Sequence, residues 1–339
     1  MPANSSRIFI EGEMVDFTTG NLSKQGNNTA SSLTFTIPGG QANYRKYWNK
    51  EVTFFLDSSD AKPMFRGAII NAEINANNAV TFRALDALGY LTGRQRASLN
   101  FDETNNIDGL TIGGALTTMV RNAKLTKVGV DYMNDTNPVK KMPPLRGKHF
   151  ILDTIVQQLG DIYNDVKEIP RTNILTVTDD GKKGQLGFVL LKDVDETTPS
   201  FHYNYNNMIT FNVINRKIPT IITVTGKNSN FTLHHESAAS GLGDNFLNVT
   251  NNNLTSRADC ADFAQKVFNA NIKNKYEYNL STYEGAYLEE NDVISIVDDN
   301  TGIEGNFRIV GKSIDFGEGA YSLSLTINKQ PPLVSEFLS

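Results

Sequence analysis

The sequence contains few of the residues that form covalent cross-links or bind metals. Cys260 is the one cysteine in 339 residues, which excludes an internal disulfide and is typical of synthesis in a reducing compartment. The four histidines are His149, His202, His234 and His235, and none stands at the spacing of a known zinc motif. The sequence therefore predicts no metal site and no cofactor.

Long apolar runs and a strong charge bias are also absent. No segment approaches the roughly 18 apolar residues of a membrane-crossing helix, and residues 1–14 lack the basic and apolar regions of a signal peptide. The formal net charge is −5, which disfavours nucleic acid as the main partner because phosphate binding needs an excess of Lys and Arg. We therefore predict no membrane partner, and DNA contact at most in passing.

Motifs for catalysis are missing as well. The chain has neither GxxxxGK[ST] nor GxSxG, and Gly241-Leu-Gly243 follows no strand of a βαβ unit. Cys260 lies on the apolar face of a predicted helix, which favours a buried, inert thiol over a nucleophile. His234 and His235 are adjacent, so on an extended chain they point to opposite faces and are poorly placed to share a metal.

Three carboxylate pairs fall in predicted turns, where solvation explains them: Asp179-Asp180, Glu289-Glu290 and Asp298-Asp299. A glycosidase pair at one of these places stays open as an alternative. Trp48 is the one tryptophan, which disfavours a surface for stacking sugars. The sequence predicts no catalytic, cofactor-binding or metal-binding residue, and hence a protein that is not an enzyme.

A repeated β pattern is the strongest positive signal. Val52–Leu56, Phe65–Ile70 and Val80–Ala84 are apolar, alternating runs separated by Asp/Ser and Asn-rich turns at 57–60 and 75–78. Such runs predict an antiparallel meander with one buried face.

The same pattern returns between residues 288 and 328. Val293–Val297, Phe307–Arg308 and Tyr321–Leu325 match the three earlier runs at an offset of about 241 to 242 residues. A constant offset over three strands indicates an internal duplication. Chance is the alternative, because many meanders share this spacing.

The fold predicted from these patterns is β-rich α+β, with two similar antiparallel β-barrel domains. The first barrel covers 1–91, an inserted α+β module covers 92–202, and the second barrel covers 203–330. Residues 331–339 form a tail whose apolar part, Leu333–Leu338, is predicted to dock on a neighbour.

Within these domains, apolar periodicity and capping residues predict the remaining elements. In the inserted module, helices are predicted near 111–123 and 149–159, with Thr111 as N-cap of the first and Gly160 ending the second, and a hairpin at 173–191. A further helix at 257–272 begins after a Ser256–Asp259 capping box. Strands are predicted at 7–12, 14–17, 32–37, 208–214, 220–225 and 276–281, and loops at 21–31, 124–147 and 227–253.

Two stretches carry a resemblance to a known family. They are Pro63-Met-Phe-Arg-Gly67 followed by Val80-Thr-Phe-Arg-Ala-Leu-Asp-Ala-Leu-Gly-Tyr-Leu91, and Leu288–Ile296 followed by Gly305-Asn-Phe-Arg-Ile309. With the order barrel, insertion, barrel, they resemble the central hub protein of bacteriophage tail baseplates. That family includes contractile-tail hubs, late-control tail proteins and the hub half of type VI secretion spikes, and the similarity covers most of the chain.

The resemblance implies a structural role in the virion tail, with assembly in the host cytoplasm. It implies a homotrimer in which two tube-like barrels per chain form a pseudo-sixfold ring around a channel for DNA. The implied partners are the tail tube or a tube-initiator protein, a spike or tip protein, and baseplate wedge or peripheral tail proteins. No catalytic residue carries over, and because no lysozyme domain precedes Ser339, the spike is expected to be a separate protein.

Two other functions stay open at this point. One is the tail-tip hub of a long non-contractile tail. The other, of a different class, is a glycan-binding or glycan-cleaving β-protein at the host surface.

Overall fold

The structure is a computed structural model. It describes residues 6–25, 29–39, 44–56, 62–75, 77–92, 97–131, 141–155, 158–159, 172–179, 182–191, 194–215, 218–235, 245–251, 254–273, 275–300, 302–317 and 320–328. Several predicted features lie outside these residues: the 57–60 turn, Gly160, Asp180, Gly241-Leu-Gly243 and the 331–339 tail.

The N-terminal half forms seven strands and two short 3₁₀ turns. The strands are β1 Arg7–Ile10, β2 Glu13–Val15, β3 Thr19–Gln25, β4 Ser32–Ile37, β5 Glu51–Phe55, β6 Phe65–Ile74 and β7 Val80–Leu85, with 3₁₀ turns at Tyr44–Tyr47 and Ala87–Tyr90. The predicted meander β5–β6–β7 is present and antiparallel. The loop predicted at 21–31 is wrong for its first part, which belongs to β3. This strand pairs on both sides, with β4 and with the later strand at 303–317, and these tertiary partners override a polar sequence of low strand propensity.

The middle of the chain contains β8 Ser98–Phe101, α1 Ile112–Asn122, β9 Val128–Asp131, β10 Gly147–Phe150, helical residues 151–155 and 158–159, β11 Thr172–Asp179 and β12 Gly184–Leu191. The first predicted helix is confirmed, and Thr111 caps it by accepting the Gly114 N–H at 3.2 Å. The 173–191 hairpin is confirmed as the pair β11–β12.

Two predictions in this part of the chain are wrong in detail. The 124–147 loop contains β9, which pairs in parallel with β12. The second helix starts at 151 rather than 149, because His149 and Phe150 pair with β8 as part of β10. Both errors concern four-residue strands whose pairing partners are far away in sequence.

The C-terminal half begins with a 3₁₀ turn at Val194–Glu196. Its strands are β13 Phe201–Tyr203, β14 Thr210–Asn215, β15 Ile221–Thr225, β16 Asn230–His234, β17 Phe246–Thr250, β18 Tyr276–Thr282, β19 Val293–Asp298, β20 Ile303–Gly317 and β21 Ala320–Asn328, and its helix is α2 Arg257–Lys273. The α2 capping box is confirmed, since the Asp259 N–H donates to Ser256 Oγ at 3.1 Å and the Ser256 N–H donates to Asp259 Oδ2 at 3.0 Å.

The loop predicted at 227–253 is wrong, because it contains β16 and β17. These strands flank β15, one antiparallel and one parallel, and α2 packs on the resulting sheet. The unit has its own small core, built on Ile222, Val224, Cys260 and Phe268.

One large sheet unites the two halves of the chain. Its strands follow the order β14-β18-β21-β20-β3-β4-β7-β6-β5-β1-β2, with β19 between β20 and β13. A single apolar core contains residues from both halves, whereas the middle segment has a separate core around α1. The chain is therefore β-rich with few helices, and its division into two barrels and an inserted module stays a prediction.

The strand order within the sheet is repeated. It runs β3-β4-β7-β6-β5-β1 in the first half and β14-β18-β21-β20-β19-β13 in the second, and corresponding strands follow the same order along the chain. One pair differs: β1 is antiparallel to β5, whereas β13 is parallel to β19. The two meanders recognised in the sequence thus share one topology.

A repeated irregularity supports this correspondence. The register shifts after Ile69 in β6 and after Ile309 in β20. At both places an asparagine with a left-handed backbone, Asn49 (φ 57°) or Asn291 (φ 72°), donates its N–H to the isoleucine carbonyl, at 3.0 and 2.9 Å. These isoleucines lie 240 positions apart, and the residues opposite them, Ala84 and Ile327, lie 243 positions apart. The offsets predicted for β6, about 242, and for β7, about 241, are therefore each wrong by two residues.

No helix in the described ranges is both long and apolar enough to cross a bilayer.

Candidate assembly interface

The two halves of the chain meet where β3 pairs with β20, and we call this pairing the β3–β20 junction. Residues 19–25 lie antiparallel to residues 311–317. At its centre Leu22 is opposite Ile314, and both side chains are fully buried. The junction joins the two repeats by backbone hydrogen bonds and by an apolar core.

An aromatic cluster fills one end of the junction. Phe316 stacks on Phe54 with ring centroids 4.2 Å apart, and Phe17 meets its edge at 5.5 Å. The Phe316 ring also covers Gly20, its opposing residue: a Cβ at position 20 would lie 2.2 Å from Phe316 Cζ. The Phe316 ring of β20 therefore packs against both β3 and β5 of the first repeat. A glycine is needed at position 20, because a larger side chain there would overlap the ring.

A polar contact crosses the junction on its outer face. The Asn21 side-chain amide donates to Ser313 Oγ at 2.8 Å and to Asp315 Oδ1 at 2.7 Å. One amide thus connects two positions of β20, a contact that is consistent with the backbone register of the pair.

Charged groups are buried at the other end of the junction. Lys312 is 2% exposed, and its ammonium donates to the carbonyls of Ala286 and Leu288. Burial lowers the Lys312 pKa to about 8. Next to it, Lys24 forms an ion pair of 2.6 Å with the more exposed Glu289.

Besides Asp292, whose pKa is raised by burial, two further carboxyl groups in the same region have raised pKa values. Glu290 Oε1 is buried and has no hydrogen-bond partner among the described residues, and burial raises the Glu290 pKa to about 7. Burial also raises the pKa of Asp86 to about 6, although this carboxylate accepts the N–H groups of Ser31 and Leu88. These groups change charge near neutral pH and lie close to the contact between the repeats.

The prediction that Glu289-Glu290 is simply a solvated turn is wrong for Glu290. A signal for buried charge was present in the sequence, because Lys312 alternates with Ile314 and Phe316 on one face of a strand. The acidic pair Glu289-Glu290 was singled out in the sequence, but the buried Lys312 near it was not.

Of the other two carboxylate pairs, Asp298, Asp299 and Asp179 lie within the described residues. Asp298 is the last residue of β19, is buried and accepts the Asn300 N–H at 3.3 Å, whereas Asp299 is exposed. The prediction of a solvated turn is therefore wrong for Asp298 as well, because the end of the strand buries it. Asp179 lies at the end of β11. In the described ranges, no group of three or more His, Cys, Asp and Glu side chains is placed to hold a metal ion.

The four histidines have different surroundings. His149 Nε2 lies 2.9 Å from the Arg146 carbonyl, while His202 and His234 are exposed on strands. His235 stacks on Phe268 at 3.9 Å, so the adjacent pair His234–His235 does point in different directions.

Two other singled-out residues have simple surroundings. Cys260 is buried on α2, as predicted, and its thiol lies 3.5 Å from Ser229 Oγ. Trp48 is 48% exposed.

Comparison with solved structures identifies the fold. The chain is similar to a tail protein from Neisseria meningitidis MC58, with a TM-score of 0.69, 11% identity, and 98% of this chain covering 99% of that one. It is also similar to the 43 kDa tail protein of prophage MuSo2 from Shewanella oneidensis, with a TM-score of 0.66, 10% identity and 96% of each chain covered.

A third similar structure is the E. coli c3393 protein. It is described as a component of the type VI secretion system with structural similarity to the T4 bacteriophage tail proteins gp27 and gp5. The TM-score is 0.55 at 12% identity, over 96% of this chain and 80% of that one. In sequence, by contrast, the chain matches no family model and no curated protein.

These likenesses extend along the whole chain, but at such identities they establish the fold alone. The chain has the fold of phage tail proteins and of a type VI secretion component. The resemblance to the baseplate-hub family is confirmed at that level.

Proposed function

We propose that this chain is a structural subunit of a phage tail or a related injection apparatus, in which three copies form a ring of six similar modules. The observation that carries the proposal is the repeated strand order with its repeated bulge, in a chain whose fold is that of tail proteins. Two modules per chain let a threefold ring imitate sixfold symmetry.

Such a ring is an adapter between two symmetries. Its pseudo-sixfold face suits a hexameric tail tube or tube-initiator protein, and its true threefold axis suits a trimeric spike or tip protein. Wedge or peripheral tail proteins attach around the outside, and DNA passes through the centre without being held. The acidic balance of the chain, −5 at pH 7, supports passage rather than binding.

The proposal assigns no catalytic role, cofactor or metal to the chain. The roles of its charged groups are structural: Lys312, Lys24 and Glu289 make contacts at the β3–β20 junction. The ring serves a contractile or a non-contractile tail equally well, and a sheath gene beside this one would point to the contractile kind.

The experiment is to determine the mass of the purified protein by mass photometry, alone and with its candidate spike partner. We expect a species of three chains, each of 37.5 kDa. A protein that stays monomeric at every concentration and with every tail partner contradicts the proposal. Cleavage of a host polysaccharide that is lost on changing Asp298 or Asp299 would favour the glycan-cleaving alternative.

A further inference from the structure

Each strand of the β3–β20 junction has a counterpart in the other repeat. The correspondence is found by starting at the isoleucine of each bulge and moving across the sheet from each residue to the one opposite it on the next strand. Four neighbouring strands are crossed in each repeat. The residues reached are Ile69, Ala84, Leu33 and Leu22 in the first repeat, and Ile309, Ile327, Tyr278 and Val213 in the second. Val213 of β14 therefore corresponds to Leu22 of β3.

The other side of the junction corresponds in the same way. Ile314 lies five residues after the bulge isoleucine of β20, and Ile74 lies five residues after that of β6. The end of β6 is therefore the counterpart of the part of β20 that pairs with β3.

These two counterparts are open edges. Residues 71–74 of β6 pair with β7 alone, and β14 pairs with β18 alone, as far as the described residues extend. An open edge presents unpaired backbone N–H and C=O groups to solvent. The chain thus has two open edges, the end of β6 and β14, that correspond to the two strands already paired in the β3–β20 junction.

Burial separates the formed junction from the open edges. Leu22 and Ile314 are both 0% exposed, whereas Val213 is 41% and Ile74 is 49% exposed. Both exposed residues lie on the core side of the sheet, since Val213 is opposite buried Tyr278 and Ile74 is opposite buried Val80. Their apolar side chains lack the cover that the neighbouring strand gives to Leu22 and Ile314.

We propose that the end of β6 in one copy of this chain pairs antiparallel with β14 of the next copy, with Ile74 opposite Val213 and Ala72 opposite Asn215. This inference rests on the proposed function and gives its ring a specific contact. The partner is a second copy because the internal junction shows that these two kinds of edge fit one another.

The polar side chains support the same register. Asn212 corresponds to Asn21, and Glu73 corresponds to Ser313, which accepts the Asn21 amide. In the proposed pair, the Glu73 carboxylate accepts the Asn212 amide in the same way. A charge-assisted hydrogen bond thus replaces a neutral one.

The contact is heterologous, because different surfaces of the two copies meet. Heterologous contacts form a closed ring or an open filament, depending on the rotation between copies. Three chains with three internal and three intermolecular junctions give six equivalent joints, and the ring closes when the two kinds of joint have the same geometry.

The test uses two single-cysteine proteins. Ile74→Cys and Val213→Cys are made separately in a Cys260→Ser background, co-expressed with different affinity tags, and oxidised mildly. Opposing residues of an antiparallel pair have Cα atoms about 4.5–5.5 Å apart, within disulfide range. We expect covalent two-chain species at least ten times more abundant from this combination than from either protein alone.

The matched control combines Ile74→Cys with Ile214→Cys. Ile214 is 44% exposed but follows Val213 by one residue, so its side chain lies on the opposite face of the sheet. Equal cross-linking in the control would overturn the register. A cross-link within a single chain of the double variant, and none between chains, would overturn the intermolecular contact.

A charge placed in the contact gives a second readout. Val213→Asp should weaken self-association at least tenfold while leaving the melting temperature of the monomer nearly unchanged. Val297→Asp, at a similarly exposed position of β19 (42%), should leave self-association unchanged. A trimer that forms without the 74–213 cross-link and tolerates Val213→Asp overturns this inference and leaves the proposed function standing, whereas a permanent monomer contradicts both.

Discussion

Gly20 lies directly opposite Phe316 across the β3–β20 junction, and the phenylalanine ring occupies the space that a side chain at position 20 would need. The same ring stacks on Phe54 of β5. One aromatic side chain of the second repeat is therefore held by two strands of the first, and the contact depends on a glycine.

Gly20→Ala should destabilise the protein, because the new methyl group overlaps the Phe316 ring and forces it off Phe54. Overpacking of this kind costs about 1–3 kcal/mol, measurable as a lower melting temperature. Gly311→Ala in the paired strand is the control, since its Cβ would meet Thr326 at an ordinary 3.5 Å. Equal stability of the two variants would contradict the packing described here.

Asn49 and Asn291 should both resist replacement by a β-branched residue. Each adopts a left-handed backbone and donates its N–H to the isoleucine at a bulge. Left-handed backbone costs an ordinary L-residue roughly 1–2 kcal/mol, and glycine adopts it without that cost. We expect Asn49→Val and Asn291→Val to lower the melting temperature, and Asn49→Gly and Asn291→Gly to lower it much less. Tolerance of valine at one site alone would argue against equivalent roles in the two repeats.

Stability should depend on pH through Glu290. Its pKa in the folded protein is about 7, against a usual value of 4.5, because the carboxyl is buried. Between these values the folded protein holds a proton that the unfolded chain releases, so stability falls as pH rises from about 4.5 to 7. The groups around it are Lys24, Lys312, Glu289 and Asp86, and the raised pKa of Asp86 acts in the same direction.

Glu290→Gln removes this titration while keeping the shape of the protonated acid. We expect the melting temperature of the variant to fall less between pH 5 and pH 7.5, and the variant to gain on the order of 1 kcal/mol relative to the native protein at the higher pH. Glu304→Gln is the control, because it neutralises an exposed carboxylate that is not among the groups around Glu290. An unchanged pH profile in Glu290→Gln would show that this carboxyl is solvated.

The cap of α2 offers a local test in the small unit built on β15. Ser256 and Asp259 bond reciprocally at the start of the helix. Ser256→Ala should cost about 1 kcal/mol, whereas Ser256→Asp should cost little, because aspartate is an equally good N-cap. Hydrogen exchange of the α2 amides is the direct measurement, and an unchanged exchange rate in Ser256→Ala would contradict a role for the cap.

Local signals in the sequence were enough for the helices α1 and α2, the hairpin β11–β12 and both meanders. Each has an apolar period and recognisable caps or turns within a few residues. The strands β3, β9, β16 and β17 could not be found this way. β3, β9 and β17 are short or polar and depend on partners that are distant in sequence, as β3 depends on β20. β16 forms a hairpin with the neighbouring strand β15, but its polar sequence gives little strand signal.

The charges at the junction were missed for a related reason. Glu290 is next to an exposed acid and looks like part of a turn, and only the tertiary packing around Lys312 buries it. The repeat was visible in sequence, but the predicted register was wrong by two residues in β6 and in β7, because the bulges and the unequal turns alter the offset from strand to strand. Asn49 and Asn291, which lie 242 positions apart, are equivalent positions of the two repeats, whereas Phe65 and Phe307 are not.

The most direct test of the central claim is an electron-microscopy average of the assembled particle viewed along its axis. The account predicts a ring of six similar lobes made by three chains. Neighbouring lobes are joined in turn by the β3–β20 junction within a chain and by the contact of β6 with β14 between chains. A ring with three unlike lobes, or six chains in one ring, would contradict it.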